Sequence, residues 1–385
     1  MAARPAYRED NGLAGISGHT ALQFDPYIVL LVGALMAIGV VMVYSASIDL
    51  DGPGFNIRSW WHGPLKQAGF SALGFFTMLL AAQLDYRVFS NETLTGRRLT
   101  AFVWALAAAL LILVLIPGVG TRTLGATRWI RIPLGSFDAG FQPGEFAKVA
   151  IVLWLAALVS RSTFELTSWR RGFIPVCIGA FALIGLTGLE DYGTGALMGV
   201  LFMAILFLAK ARWSQILSLI LAGGLAGAVL FYAKPNRMHR LQTFLSEAPD
   251  PSGAGYQITQ ALMAIGSGGW FGRGLGAGVQ KYGYLPQAHN DFILAILCEE
   301  LGAVGGLVVV LLFLLLLLRS WWIAWRAPDQ FGRLLASGLA LMICLQAAFN
   351  VAVVTHSVPT KGISLPFVSA GGSGAVFLGL AAGLL

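Results

Sequence analysis

The sequence predicts an all-α, polytopic membrane protein with about ten transmembrane helices and a long extracytoplasmic loop between the seventh and eighth. Three observations carry this. Of 385 residues, 57% are hydrophobic and only 11% charged, against about 25% charged in a soluble domain. The mean hydropathy is +0.75. The apolar residues come in long continuous runs, not in alternation, which excludes an outer-membrane barrel. The same composition excludes disorder, a coiled coil and an ordinary soluble enzyme, and nothing in it calls for nucleic acid.

Residues 1–26 are polar and mixed and read as a short cytoplasmic tail. The first apolar run is too long for the core of a cleavable signal peptide. Spans are expected at 27–48, 65–84, 100–116, 144–159, 173–189, 195–209, 213–233, 291–318, 331–354 and 370–385, so that 27–385 forms a single transmembrane domain. The fifth and sixth are short and close together, and a broken or tilted pair is expected there. The last stops at Leu385 without a polar flank, which is compatible with a longer native chain. The three cysteines, Cys177, Cys298 and Cys344, lie in apolar runs and read as packing residues.

Placing the N-terminus inside assigns 13 Lys and Arg to inner segments and 10 to outer ones, with extracytoplasmic loops at about 117–143, 234–290 and 355–369. The short loops obey the positive-inside bias; the two long outer loops, with eight basic residues, break it. Long loops translocate regardless of charge, so the topology stands. The excess is either a solvated surface or a binding surface for an anionic ligand at the outer leaflet.

Several segments carry chemistry. In the first long loop Arg128 precedes Trp129, and Pro143-Gly144 opens the fourth span. Glu145 and Lys148 follow at i,i+3 on one helix face, either as a structural ion pair, as the lining of a cavity, or as both. Asp191 in Glu190-Asp191-Tyr192-Gly193-Thr194 is a turn former, a loop-orienting contact or a sugar contact. In the second long loop Arg237 and Arg240, also i,i+3, suit a phosphate clamp. A short amphipathic helix is expected around Gly255–Met263. The glycine-rich run 266–278 lacks the spacing and the preceding strand of a dinucleotide loop. Next come Gln280-Lys281, then His289-Asn290-Asp291 at the mouth of span eight. Asp291 is either a helix cap or a carboxylate able to take a proton from a hydroxyl. His289-x-Asp291 has no further ligand spaced to complete a metal site. Glu299 and Glu300, deeper in an apolar helix, need partners from other helices and read as structural. The last outer loop carries Lys361 between prolines and leads through Ser369 to Gly371-Gly372-Ser373.

Taken together, these segments resemble the SEDS family (shape, elongation, division and sporulation). The matching pieces are Gly125-Ala-Thr-Arg128-Trp129-Ile130, Gln142-Pro-Gly-Glu145-Phe-Ala-Lys148, Asp191-Tyr-Gly-Thr194, Arg237-Met-His-Arg240-Leu, Gly255-Tyr-Gln257, Gly272-Arg-Gly-Leu-Gly276, Leu285-Pro286-Gln-Ala-His289-Asn-Asp291-Phe292, Glu299-Glu300-Leu-Gly302 and Leu365-Pro366-Phe-Val-Ser369-Ala-Gly-Gly-Ser373. Val279-Gln280-Lys281 and Pro359-Thr360-Lys361-Gly362 look like the cell-division branch more than the elongation branch. Gly144, Gln287, Asn290 and Ala370 depart from the usual Ser, Glu, Thr and aromatic residues.

The resemblance implies a peptidoglycan glycosyltransferase in the bacterial cytoplasmic (inner) membrane. It would polymerise lipid II into glycan strands at the outer face, with Asp291 catalytic. It further implies substrate contacts from Arg128, Glu145, Lys148, Arg237, Arg240, Gln280, Lys281, His289, Lys361 and Ser369. Implied partners are the nascent glycan strand, membrane lipid, a class B penicillin-binding protein and other division or elongation proteins. A divalent cation (Mg or Mn) bridging pyrophosphate suits such chemistry, but the sequence displays no ligand set for one. The rival readings are a lipid II flippase, which calls for midplane sites and internal repeats, and a non-catalytic scaffold for the penicillin-binding protein.

Overall fold

A computed structural model describes residues 24–47, 62–90, 92–123, 126–134, 137–232, 242, 244 and 253–385. The expected tail over 1–23 and the pair Arg237 and Arg240 lie outside the described residues.

Each expected span coincides with a helix: α1 (Pro26–Ala46), α2 (His62–Ala81), α3 (Leu94–Leu115), α4 (Pro143–Val159), α5 (Ile174–Glu190), α6 (Tyr192–Leu208), α7 (Trp213–Tyr232), α9 (Ile293–Arg326), α10 (Gln330–Val354) and α11 (Gly372–Leu384). The expected amphipathic helix is α8 (Gly253–Gly268). Five helical segments are long and apolar enough to cross a membrane on those criteria alone, and shorter apolar helices accompany them. The chain is a multi-pass helical membrane protein. α9 runs two turns beyond the expected end at 318 because the helix continues through Trp321, Trp322 and Trp325, until Ala327-Pro328 stops it. Cys298 is buried, whereas Cys177 and Cys344 are half-buried.

The all-α class holds for the bundle, and one loop adds a small sheet to it. The first long loop folds into a three-stranded antiparallel sheet: β1 (Gly120–Thr123), β2 (Ala126–Leu134) and β3 (Phe137–Phe141). The β-branched and aromatic residues of Thr127-Arg-Trp-Ile-Arg-Ile132 favour extended backbone.

α4 and α10 form the centre. α4 buries residues on every face, as expected of a helix apolar all round, and α10 packs against it. α11 lies on α2, with Ala375, Gly379 and Gly383 at i, i+4 and i+8 letting the two backbones approach. α1 runs along α9. At one end Asp25 caps α1 and accepts from Arg319 at 2.6 Å; at the other Ser45 donates to Glu300 at 2.7 Å.

The break in α9 organises one end of the bundle. Gly302 has φ 73° and ψ −175°, an extended left-handed conformation that only glycine adopts readily. The break strands the carbonyls of Glu299 and Glu300 and the N–H groups of Ala303 and Val304. The segment after α8 satisfies all four. Arg273 and Gly274 donate to Glu299 and Glu300 (both 3.0 Å), while Gly269 and Trp270 accept from Ala303 (2.9 Å) and Val304 (3.2 Å). Irregular backbone thus enters the bundle roughly 14 Å along the axis from the start of α9, with its polar groups paired as an apolar surrounding requires.

The two glutamates complete the junction and bear out their structural reading. Both are fully buried. Glu299 accepts from the backbone N–H of Val279 at 2.8 Å and of Gln280. Glu300 accepts from Ser45, from the N–H of Gly276 and from Lys281 Nζ at 2.8 Å. Lys281 also donates to the Gly276 carbonyl. Replacing Lys281 with Met leaves the Glu300 charge buried without its cation, and a loss of about 3–5 kcal/mol is expected. Pairing it with Glu300→Gln should restore more than half of that loss. Thermal unfolding of the purified single and double variants in detergent checks this; equal losses in both would contradict it.

Candidate active site

At the end of the bundle where α9 begins, six parts of the chain converge on a cavity of about 170 Å³. Its lining includes Arg128 and Trp129 of β2, Glu145 and Lys148 of α4, Asp191 and Thr194 at the α5–α6 corner, Gln287, Asn290 and Asp291 before α9, Gln346 of α10, and Gly362 to Ser364 of the last loop.

The corner between α5 and α6 sets the charge pattern. Asp191 alone separates the two helices and caps α6 by accepting from Thr194 N–H at 3.2 Å. Its carboxylate is buried and receives two cations from opposite directions, Arg128 at 3.0 Å and Lys361 at 2.8 Å. Burial works to raise this carboxyl, but Lys361 and Arg128 outweigh it and hold it well below the usual carboxylate range. Lys361 Nζ also lies 3.8 Å from the centre of the Tyr192 ring. Next door, Glu190 accepts from Thr127 N–H at 2.9 Å and pins the sheet to the end of α5. Arg128 spends Nη1 on Asp191, while its Nε is buried and without a partner among the described residues. A buried donor left in this state is costly unless an acceptor arrives.

Glu145 and Lys148 form the expected ion pair. They pair at 2.9 Å in the first turns of α4, are buried, and line the cavity. Pro143 starts the helix, and Glu145 sits where the helix dipole favours a negative charge. Lys148 also donates to Gln346 Oε1.

Asp291 is not the cap of α9. The cap position is Phe292, which makes no side-chain capping bond. The Asp291 carboxylate instead lies against Gly362: a Cβ built there would stand 2.4 Å from Oδ2. The last loop can pass the carboxylate this closely only because residue 362 has no side chain.

Other expected contacts fall elsewhere. Lys281 is not a substrate contact in this structure, because its ammonium is buried in the Glu300–Ser45 network. Gln280 contributes its backbone N–H to Glu299, and its Oε1 is buried without a partner among the described residues. Ser369 is buried and accepts from Leu365 N–H at 2.7 Å, closing the Pro366 turn. The half-buried His289 ring stands beside the site; burial lowers its pKa, which keeps the ring neutral near pH 7. Its carbonyl accepts from Ala370 N–H at 3.0 Å. Gln346, Asn350 and Gly362 were not singled out from sequence. The available signal was a pair of amides at i,i+4 inside an apolar span. Among the described residues no group of three or more His, Cys, Asp or Glu is placed to hold a metal ion. Glu145 and Asp191 are each already committed to cations.

A second, apolar cavity of about 430 Å³ lies between α5, α6 and α7, lined by Phe181, Ile184, Leu189, Val200, Phe202, Met203 and several glycines. Tyr192 lies in its wall and under Lys361, so the cavity adjoins the cation cluster.

The chain is similar to known proteins over nearly its whole length. The chain is 38% identical over 364 residues to a probable peptidoglycan glycosyltransferase FtsW of Geobacter sp. (strain M18), covering 94% of this chain and 95% of that one. It is 39% identical over 366 residues to the stage V sporulation protein E of Bacillus subtilis (strain 168), covering 94% and 95%. Among solved structures it is similar to a chain of a peptidoglycan synthase complex that coordinates polymerization and crosslinking, with a TM-score of 0.73 and 26% identity over 94% of this chain and 96% of that one. It is also similar to the rod shape determining protein RodA of Thermus thermophilus, with a TM-score of 0.64 and 26% identity over 94% and 96%. A family model covering FtsW, RodA and SpoVE, described as cell cycle proteins, matches residues 26–385, and the chain belongs to that family.

Proposed function

We propose that this protein is a peptidoglycan glycosyltransferase that polymerises lipid II at the outer face of the bacterial cytoplasmic membrane, in the septal wall synthesis of dividing cells. The observation that carries the reading is the joining, in one cavity, of the Asp291 carboxylate with Arg128, whose buried Nε awaits an acceptor. In this reading the N-terminus is cytoplasmic and the Asp291 end of the bundle faces outward. The 4-hydroxyl of an acceptor GlcNAc attacks C1 of the MurNAc on the lipid-linked donor. The C1–oxygen bond to pyrophosphate breaks, undecaprenyl pyrophosphate leaves with the bonding pair, and Asp291 takes the hydroxyl proton. Arg128 and Lys361 offset the charge gathering on the leaving group. Asp191 holds both cations in place beforehand, which spares their reorganisation during the reaction. The Glu145–Lys148 pair lines the opposite wall and orients sugar hydroxyls. The apolar cavity under Tyr192 takes part of the polyprenyl tail.

A class B penicillin-binding protein is the expected partner, crosslinking the strands that this chain makes. The peptidoglycan synthase complex among the structural relatives supports that pairing.

Two expectations follow. Asp291→Asn keeps size and polarity but removes the base, so lipid II polymerisation by the purified protein with its partner should fall by about 100-fold or more, with unfolding temperature unchanged. Polymer at wild-type rate would remove Asp291 from the chemistry, and inactivity of the wild type as well would shift the reading to transport or scaffolding. Gly362→Ala pushes a methyl group into the Asp291 carboxylate. It should cut the turnover rate by at least about tenfold while lipid II binding changes little; unchanged turnover would show that the close approach is dispensable.

A further inference from the structure

Two amides of α10 stand out. Gln346 and Asn350 are spaced i,i+4, share one helix face and are buried in the apolar centre of the molecule, Asn350 completely. Both reach the last loop. Gln346 donates to the Ser364 carbonyl at 3.0 Å while accepting from Lys148. Asn350 donates from Nδ2 to the Asp291 carbonyl at 2.8 Å and to the Ile363 carbonyl at 2.7 Å. Each N–H of that amide therefore holds a different segment, one carrying Asp291 and the other following Gly362.

The amide orientation is set by this network, since the reverse would place Oδ1 against two carbonyl oxygens. In the orientation adopted, Oδ1 is buried with no partner among the described residues. An apolar side chain of similar size would avoid that unmet acceptor, so Asn350 is a poor choice for packing alone. Its return is the cross-link itself. Residues 289–292 lie in turns before the first residue of α9, and α9 has no side-chain cap, so Asp291 stands on irregular backbone that the amide bond reaches directly.

We infer that Asn350 is a positioning residue for the glycosyl transfer: by bridging the Asp291 and Ile363 carbonyls it fixes the Asp291 carboxylate against Gly362, with Gln346 fixing the same loop to the Glu145–Lys148 pair. The catalytic part of this inference rests on the proposed transferase reading; the mechanical part does not.

The test uses the full chain with its partner transpeptidase, comparing wild type, Asn350→Leu, Asn350→Ser and a helix control, Val353→Ala. Val353 is buried on the same helix, outside the contacts described. Two readouts are taken. Hydrogen–deuterium exchange reports peptides covering 287–293 and 360–366; lipid II polymerisation gives kcat and KM. Asn350→Leu should speed exchange in both peptides together. It should lower kcat by about 100-fold while KM moves by no more than about threefold. Asn350→Ser, with one donor left, should fall between Leu and wild type and stands in should the Leu variant not fold. Val353→Ala should lose stability without either effect. Unchanged exchange in the two peptides, or a kcat loss matched by Val353→Ala at equal stability, would overturn the inference. An inactive wild type would defeat the transferase reading alone, because the exchange measurement would still decide the bridge.

Discussion

Buried charge in an apolar bundle must be met by charge or by hydrogen-bond donors, and the Glu299–Glu300 junction is where most of this structure depends on that rule. The break at Gly302 opens α9; four backbone bonds reconnect it to the chain after α8. The two carboxylates then draw in Gly276, Val279, Gln280, Lys281 and Ser45. One consequence is mechanical. The chain from 269 to 281 is tied to α9 by these bonds, so the segment that follows it reaches the head of α9 from an anchored start. Asp291 lies on that segment.

A second junction of the same kind sits at the site. Asp191 gathers Arg128 from the sheet and Lys361 from the last loop, two residues far apart in sequence. Mutual repulsion would drive two such cations apart. One buried carboxylate between them holds both, and the Arg128 Nε remains as an unmet donor. The two junctions differ in outcome. Glu300 holds its cation in a closed network, whereas Arg128, one of the two cations on Asp191, lines the cavity with its Nε unmet among the described residues.

The sheet, the α5–α6 corner, the head of α9 and the last loop each hold part of the cavity wall. α4 and α10 are the frame behind them, bearing Glu145, Lys148, Gln346 and Asn350 on buried positions. A frame of packed helices restricts motion more than loops do, which suits a site whose reacting groups lie on connecting segments. The apolar cavity between α5, α6 and α7 shares Tyr192 with this polar centre, so an apolar and a polar space lie side by side.

Much was legible in one dimension. Continuous apolar runs mark each of the ten expected segments that fold into helices, because a helix that enters lipid needs a long apolar stretch. The polar residues of the connecting segments identified the family and pointed to Asp291, Arg128, Glu145, Lys148 and Lys361. The three-stranded sheet is hard to read from sequence, since β1 and β3 span only four and five residues and β2 stands beside much stronger helical signals. The place of Lys281 is hidden for a related reason. A basic residue in a basic loop looks like its neighbours until the fold shows that Glu300 has claimed it. Sequence alone therefore determined which segments enter the membrane and which residue types can do chemistry, because hydrophobicity and ionisation are properties of single residues. Tertiary structure alone decided which charges are closed into buried networks and which line the cavity, because pairing depends on what two distant segments bring within about 3 Å of each other.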